Sequence, residues 1–313
     1  MIMNIFKPEG LLLTTPKNIE YTSSLSGLER AMERHITLEA PVIMCDHDLN
    51  LHIELPSKIK AIIPRDEVVL SKDGEIIKDI AILTRVGKPV CFKVLGLQKD
   101  GCGDVVAILS RRAAQFECLS QYVYNLIPGD IIATRVTHLE NFGAFVDIGC
   151  GIISLLSIDC ISVSRISHPS DRLSVGDKLH VVVKSIDERG RLYVSLRELL
   201  GTWGENADLF SEGETVSGIV RSVEGYGIFI ELTPNLAGLA EYRENIRSGL
   251  GAAVYIKSII PEKMKIKLII IDVQERHGKP DPVKYFLDPE VTQHIDTWTY
   301  SPYSCKRVIE SVF

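Results

Sequence analysis

Two short runs hold the residues best placed to do chemistry. They are Glu140-Asn141-Phe142-Gly143-Ala144-Phe145-Val146-Asp147-Ile148 and Glu224-Gly225-Tyr226-Gly227-Ile228-Phe229-Ile230-Glu231-Leu232. Each starts with hairpin-turn character, and strand alternation restarts after the glycine. Ala144, Val146 and Ile148 then share an inward face, while Phe145 points outward with Asp147 and Phe142 sits in the turn. The second run repeats this, with Tyr226 in the turn, Phe229 outward beside Glu231, and Ile228, Ile230 and Leu232 inward. An outward aromatic ring has no hydrophobic rationale unless something covers it. Unpaired bases are natural covers, since stacking contributes ~1–3 kcal/mol per base whatever the base. A single such ring is ordinarily packed under a neighbouring element. Recurrence of the pair favours a stacking platform.

The runs recur because the chain repeats. Gly129 aligns with Gly213 at an offset of 84 residues, which also pairs Val136 with Val220, Gly143 with Gly227, Phe145 with Phe229 and Leu155 with Leu239. A later Gly176, matched to Gly251, opens an alternating strand in each copy: Leu179, Val181, Val183 in one and Val254, Ile256, Ser258 in the other. Leu192-Val194-Leu196 and Ile266-Leu268-Ile270 close the copies. Several short strands punctuated by glycine turns over roughly 65–75 residues match a closed five-stranded barrel, which leaves no sheet edge exposed. A fainter third copy precedes them, with Gly87 followed by Val90, Phe92 and Val94, and Ala61-Ile62-Ile63-Pro64 where Leu155 and Leu239 fall later.

The expected fold class is therefore mainly β: tandem five-stranded barrels with short helical connectors and an irregular C-terminal extension. Residues 1–35 read as an arm and a helix over Ser24 to Arg34, capped by Ser24 or Ser26. Residues 36–115 read as a degenerate barrel, 125–200 and 209–272 as two complete ones, and 273–313 as an extension packed on the last barrel. Arg111 to Tyr124 and Glu198 to Phe210 read as helical connectors.

Four stretches of the middle copy together strongly resemble the S-one RNA-binding domain. They are Pro128-Gly129-Asp130, Asn141 to Gly149, His168-Pro169-Ser170-Asp171-Arg172-Leu173-Ser174-Val175-Gly176-Asp177, and Arg189-Gly190-Arg191-Leu192-Tyr193-Val194-Ser195-Leu196. That module belongs to the largest protein of the bacterial small ribosomal subunit and occurs in polynucleotide phosphorylase. The resemblance is close over 128–200, good over 211–272 and faint over 36–115. It implies OB-fold barrels that bind single-stranded RNA, and it raises messenger RNA and the small ribosomal subunit as partners.

The family's RNA surface uses two aromatics, a histidine, and an acidic and a basic residue near the final hairpin. In the middle copy these positions hold Phe142 and Phe145, Ser157 in place of the histidine, Asp187 and Arg191. In the last copy they hold Tyr226 and Phe229, Glu241 in place of the histidine, Glu262 or Pro261, and Lys265. In the first copy Leu49, His52 and Val106 replace the aromatics and the base, so the reading surface is gone. Arg191 offers a planar fork and Lys265 only a point charge, which makes the middle barrel the expected tighter binder. Lys263, Lys265 and Lys267 alternate outward and serve equally as solubilising edge charges.

Composition narrows the function classes. A net charge of −6 argues against a wholesale electrostatic grip on duplex DNA, so any contact is local. Seven cysteines without a CxxC pair do not make a disulfide framework. Cys45, His47, Asp48 and His52 resemble a metal cluster, but strand alternation splits them between faces, and no metal or cofactor is expected. No phosphate-binding loop, zinc-protease or nucleophile-elbow motif appears, and Asp147, Asp187 and Glu188 form no recognisable metal-carboxylate set, so an enzyme is not expected. The run Met1 to Lys7 lacks a signal peptide's organisation, and no membrane-spanning run is present, which points to the cytoplasm. The reading is a translation-associated binder of single-stranded RNA with no small-molecule substrate. The alternative is a protein-interaction scaffold whose barrels have lost RNA, favoured by Ser157, Glu241 and the degenerate first copy.

Overall fold

The computed structural model describes residues 6–71, 78–188, 190–276, 278 and 280–313. The first five residues of the N-terminal arm and Arg189 of the final-hairpin motif lie outside the described residues. The chain forms two compact units, Met1–Leu126 with Asp147–Ile153, and Ile127–Val146 with Ser154–Phe313.

In the first unit, α1 (Pro16–Thr22) and α2 (Leu25–Glu33) are started by Thr15 and Ser24, whose hydroxyls accept from the N–H groups of Asn18 and Gly27. Leu28 and Ala31 of α2 enter the core of a closed barrel of order β1-β2-β3-β5-β4. Its strands are β1 (Leu38–Cys45), β2 (Leu51–Ile53), β3 (Lys60–Ile63), β4 (Pro89–Lys99) and β5 (Val105–Ser110), with α3 (Asp79–Leu83) before β4. The helical connector is α4 (Arg111–Gln121), capped by Ser110 and continued by one 3-10 turn, Val123–Asn125. Arg111, at the start of α4, is buried against Glu9, with Nε 2.6 Å from Oε1. A guanidinium can be buried where a carboxylate meets it in a fork.

The second unit holds two more barrels with the same strand connectivity. The middle one is built from β6 (Ile131–Glu140), β7 (Gly143–Asp147), β8 (Ile153–Ser157), β9 (Lys178–Ile186) and β10 (Leu192–Ser195). After α5 (Trp203–Ala207) come β11 (Thr215–Glu224), β12 (Gly227–Thr233), β13 (Leu236–Ala240), β14 (Gly251–Ile260) and β15 (Lys265–Gln274). Each of the three barrels closes through one parallel pair, β3 with β5, β8 with β10, and β13 with β15. The alternation expected in the repeat is present, with Ala144, Val146, Ile228 and Ile230 fully buried.

The hydrogen bonds correct the alignment of the second half of the repeat. Gly176 donates to Val136 O at 2.8 Å, and Gly249, not Gly251, donates to the matching Val220 O at 2.8 Å. Gly87 does the same to Val42 O. Val183 therefore corresponds to Ile256, since each accepts from the first glycine of its copy, Gly129 and Gly213. Sequence matching slid by two residues because alternation is unchanged by a shift of two.

The C-terminal extension ends in a two-stranded sheet of β16 (Thr297–Thr299) and β17 (Glu310–Val312). Trp298 and Tyr300 join the core of the last barrel. The extension also reaches the middle barrel, where Ile131 donates to Gln293 O, Ile295 donates to Gly129 O, and the Tyr285 hydroxyl accepts from His180 N–H.

Candidate nucleic-acid interface

Equivalent positions on neighbouring strands form one transverse outward row in every barrel. In the first barrel the strand register runs Met44, His52, Ile62, Ile108 across β1, β2, β3 and β5. In the last it runs Ser222, Phe229, Leu239, Lys267 across β11, β12, β13 and β15. The repeat places His138, Phe145, Leu155 and Tyr193 in the same row of the middle barrel, where Tyr193 pairs with Leu155. The rows share geometry and differ in chemistry.

The aromatic pair owes its place to the glycine between its members. A Cβ at Gly143 would lie 2.4 Å from Leu156 O, and one at Gly227 would lie 2.6 Å from Ala240 O. Only glycine lets the adjoining strands approach this closely while the turn carries an aromatic outward. Phe142 and Phe145 then meet edge to face at 5.9 Å with an 88° interplanar angle, and Tyr226 and Phe229 at 6.1 Å with 88°. Phe142 is 55% and Tyr226 71% exposed, so neither ring is buried under the C-terminal extension. Phe145 and Phe229 are half-buried at the base of each pair.

The middle barrel adds two groups that the sequence reading did not single out. His138 stacks on Phe145 at 6.4 Å and 19°, while its Nε2 lies 2.7 Å from Glu140 Oε1. Tyr193 directs its hydroxyl toward Asp187 Oδ2 at 3.5 Å. Both were legible in the alternation, His138 two residues before Glu140 on β6 and Tyr193 between the inward Leu192 and Val194.

Asp187 and Arg191 form the final hairpin. Asp187 N–H donates to Arg191 O, Arg191 N–H donates to Asp187 Oδ1 at 2.9 Å, and Arg191 Nε donates to Asp187 Oδ2 at 2.8 Å. The carboxylate raises the guanidinium pKa further and fixes its plane, while the Arg191 side chain stays 61% exposed. In the last barrel Lys265 pairs with Ile260 on β14. Since Asp187 is bonded to Arg191 in the same way, the acidic position is Ile260, not Glu262 or Pro261. Those two belong to the 3-10 turn Pro261–Lys263. Lys263, Lys265 and Lys267 are exposed, and among the described residues none of them forms an ion pair. Ser157 is half-buried and Glu241 exposed at the histidine positions.

Two carboxylates expected outward are covered. Asp147 is buried within the first unit, accepting from Glu9 N–H at 2.7 Å, Gly149 N–H at 2.8 Å and Gly151 N–H at 3.0 Å. Burial, with Glu9 nearby, pushes its pKa well above the carboxylate range. Glu231 is buried under two guanidinium forks: Arg172 reaches it at 2.7 and 2.8 Å, and Arg221 at 2.7 and 3.1 Å. Both lie on the outward side of their strands, as alternation required, but other segments close over them.

The first barrel lacks the platform. His52, in the Phe145 position, places Nε2 3.1 Å from Asp46 Oδ2. Asp46 is held at about 2, first by the Asn50 backbone N–H and also by the His52 and Asn50 side chains. Its carboxylate is thus committed to its own turn, and His47 leans separately toward Asp48. Among the described residues no three His, Cys, Asp or Glu side chains are grouped to hold a metal. Val106, at the basic position, is buried, and Lys60 sits between Asp100 at 2.9 Å and Asp104 at 3.0 Å.

Residues 126–197 match the family model of the S1 (S-one) RNA binding domain. The chain is 31% identical over 191 residues to the small ribosomal subunit protein bS1 of Leuconostoc lactis, covering 56% of this chain and 44% of that protein. It is 28% identical over 275 residues to bS1 of Mycobacterium tuberculosis, covering 86% of this chain and 54% of that protein. The chain spans about half the length of the curated relatives it matches. A multidomain protein with nucleic acid binding domains from Streptococcus pneumoniae is 14% identical with a TM-score of 0.25, covering 76% of this chain and 73% of that one. This is a protein of tandem five-stranded barrels whose middle barrel matches the S1 RNA binding domain. It resembles the bacterial ribosomal protein bS1.

Proposed function

We propose that this protein binds single-stranded RNA in the setting of translation, stacking bases on Phe142 and Phe145, with a second contact at Tyr226 and Phe229. The observation that carries this reading is the exposed edge-to-face ring pair in a barrel whose final hairpin holds a pinned arginine, in the segment matching the S1 RNA binding domain. A T-shaped pair presents one ring face to solvent while its partner holds it upright, so a base stacks with little further ordering. Arg191, oriented by Asp187 through Nε, directs the rest of its fork to a phosphate or a base. In the last barrel Lys265 supplies a phosphate contact as a point charge. Relatives named as small ribosomal subunit proteins support this setting, and the proposed partners are messenger RNA and the small ribosomal subunit in the cytoplasm, in a role of binding without catalysis.

Fluorescence anisotropy with an unstructured oligoribonucleotide tests the reading. Phe142→Ala/Phe145→Ala is expected to weaken binding at unchanged fold. Undiminished binding by that variant, or no binding by the wild type, rejects the stacking platform.

A further inference from the structure

The buried Glu231 cluster joins the two barrels of the second unit. Arg172 leaves the long β8–β9 connection of the middle barrel and forks onto Glu231 of β12, while Arg221 of β11 forks onto the same carboxylate. Arg172 also donates to Ser162 Oγ at 3.3 Å. All three charged side chains are nine-tenths or more buried. A second joint surrounds the fully buried Asn235, at the β12–β13 turn. Its Oδ1 accepts from Val163 N–H at 3.0 Å, and its Nδ2 donates to Arg197 O and Gly201 O, each at 2.8 Å. Ser164 N–H donates to Pro234 O, and the Tyr300 hydroxyl donates to Asn235 O. Buried charge held by fixed forks tolerates little displacement, because loosening one partner strands the other away from water.

This joint adjoins both platforms. Glu231 stands two residues along β12 from Phe229. The connection that reaches Asn235 begins at Ile158, whose N–H donates to Phe142 O at 2.9 Å. Following the chain from Phe142 through Ile158 and Val163 to Asn235 and on to Phe229 bounds the separation at about 50 Å, at ~3.3–3.6 Å per residue.

We propose that the Arg172–Glu231–Arg221 and Asn235 joints hold the two aromatic platforms at a fixed separation, so that one RNA strand engages both at once. This rests on the RNA-binding reading above and adds its geometry: Arg172 and Asn235 are positioning residues that touch no RNA. Without the joints the connector and the C-terminal extension, which contacts both barrels, still tether them, but the second contact forms at a lower effective concentration.

The test compares oligouridylates of about 6 and about 30 nucleotides, one filling a single platform and one spanning both. In Arg172→Met/Asn235→Ala, Glu231 keeps its Arg221 fork within the last barrel. The 30-mer is expected to bind about tenfold more weakly than to the wild type, with 6-mer affinity unchanged. Nitrogen-15 relaxation should give one tumbling time for both barrels in the wild type and two in the variant. Tyr226→Ala/Phe229→Ala leaves the joints untouched and should produce a 30-mer loss of the same size. Equal losses on both lengths, or no 30-mer loss in either variant, overturn the proposal. A wild type that binds neither length instead overturns the RNA-binding reading itself.

Discussion

The middle and last barrels share connectivity, the glycine that brings adjoining strands together, and an edge-to-face ring pair within 0.2 Å of the same spacing (5.9 and 6.1 Å). They part at the final hairpin. The middle barrel has Asp187 clasping Arg191 and adds His138 and Tyr193 to the row around its rings. The last barrel has Ile260 opposite Lys265, with Ser222 and Lys267 in the flanking row positions. One platform is therefore aromatic with a single oriented cation, and the other is a ring pair beside exposed lysines. The difference teaches that the scaffold sets where a base can lie, while the hairpin sets how the phosphate is held. The first barrel is the limiting case, with His52 tied to Asp46 and Lys60 tied to two aspartates.

The largest effect should come from the rings of the middle barrel. Phe142→Ala/Phe145→Ala is expected to lower affinity for an unstructured RNA about ten- to a hundredfold, from ~1–3 kcal/mol per stacked base. Tyr226→Ala/Phe229→Ala is expected to cost up to about tenfold on an RNA long enough to span both platforms, and little on a 6-mer. An equal or reversed order in anisotropy titrations would break the comparison. Exchanging the cations sharpens it: Arg191→Lys should weaken binding about threefold, and Lys265→Arg should strengthen it by less. The two platforms should also differ in salt response. Lys265→Ala should reduce the magnitude of the log K against log salt slope by about 0.7, whereas the phenylalanine double variant should leave the slope unchanged. A changed slope in the latter would mean that the rings act by placing charge.

The smallest effect is on pH. His294 docks the C-terminal extension on the middle barrel, with Nδ1 2.8 Å from Asp130 Oδ1, and that carboxylate raises the imidazole pKa. A raised folded-state pKa means that the stabilisation is full below the unfolded value of about 6.5 and is lost as pH rises through the folded value. Amide exchange at Ile131 and Ile295 should therefore quicken from mildly acidic to alkaline pH beyond the intrinsic increase. His294→Gln should remove that excess, and a residual excess in the variant would assign it to another group.

Much of this was legible in the residues. The barrel pattern follows from period-two alternation interrupted by glycines, because a strand buried on one face must alternate. The ring pairs followed from the same alternation with a turn before it, and α2 from a serine cap before a helical pattern. Other positions are not fixed by local pattern. Alternation does not separate Gly251 from Gly249, since a shift of two preserves every inward side chain. Nor does it separate Glu262 or Pro261 from Ile260, since a hairpin's length cannot be read without its pairing. Glu9, about a hundred residues earlier, buries Arg111, which no local pattern shows.

By itself the sequence determined which side chains leave the barrel wall, because alternation is a local property of the chain. Only the tertiary structure decided what happens to them afterwards. Phe142 and Tyr226 stay open, while Glu231, on the same outward face as Phe229, is closed over by Arg172, 59 residues earlier in the chain. Strand periodicity sorts inside from outside for one barrel. Whether an outward residue meets water, RNA or another segment depends on contacts between residues far apart in sequence, which no local pattern encodes.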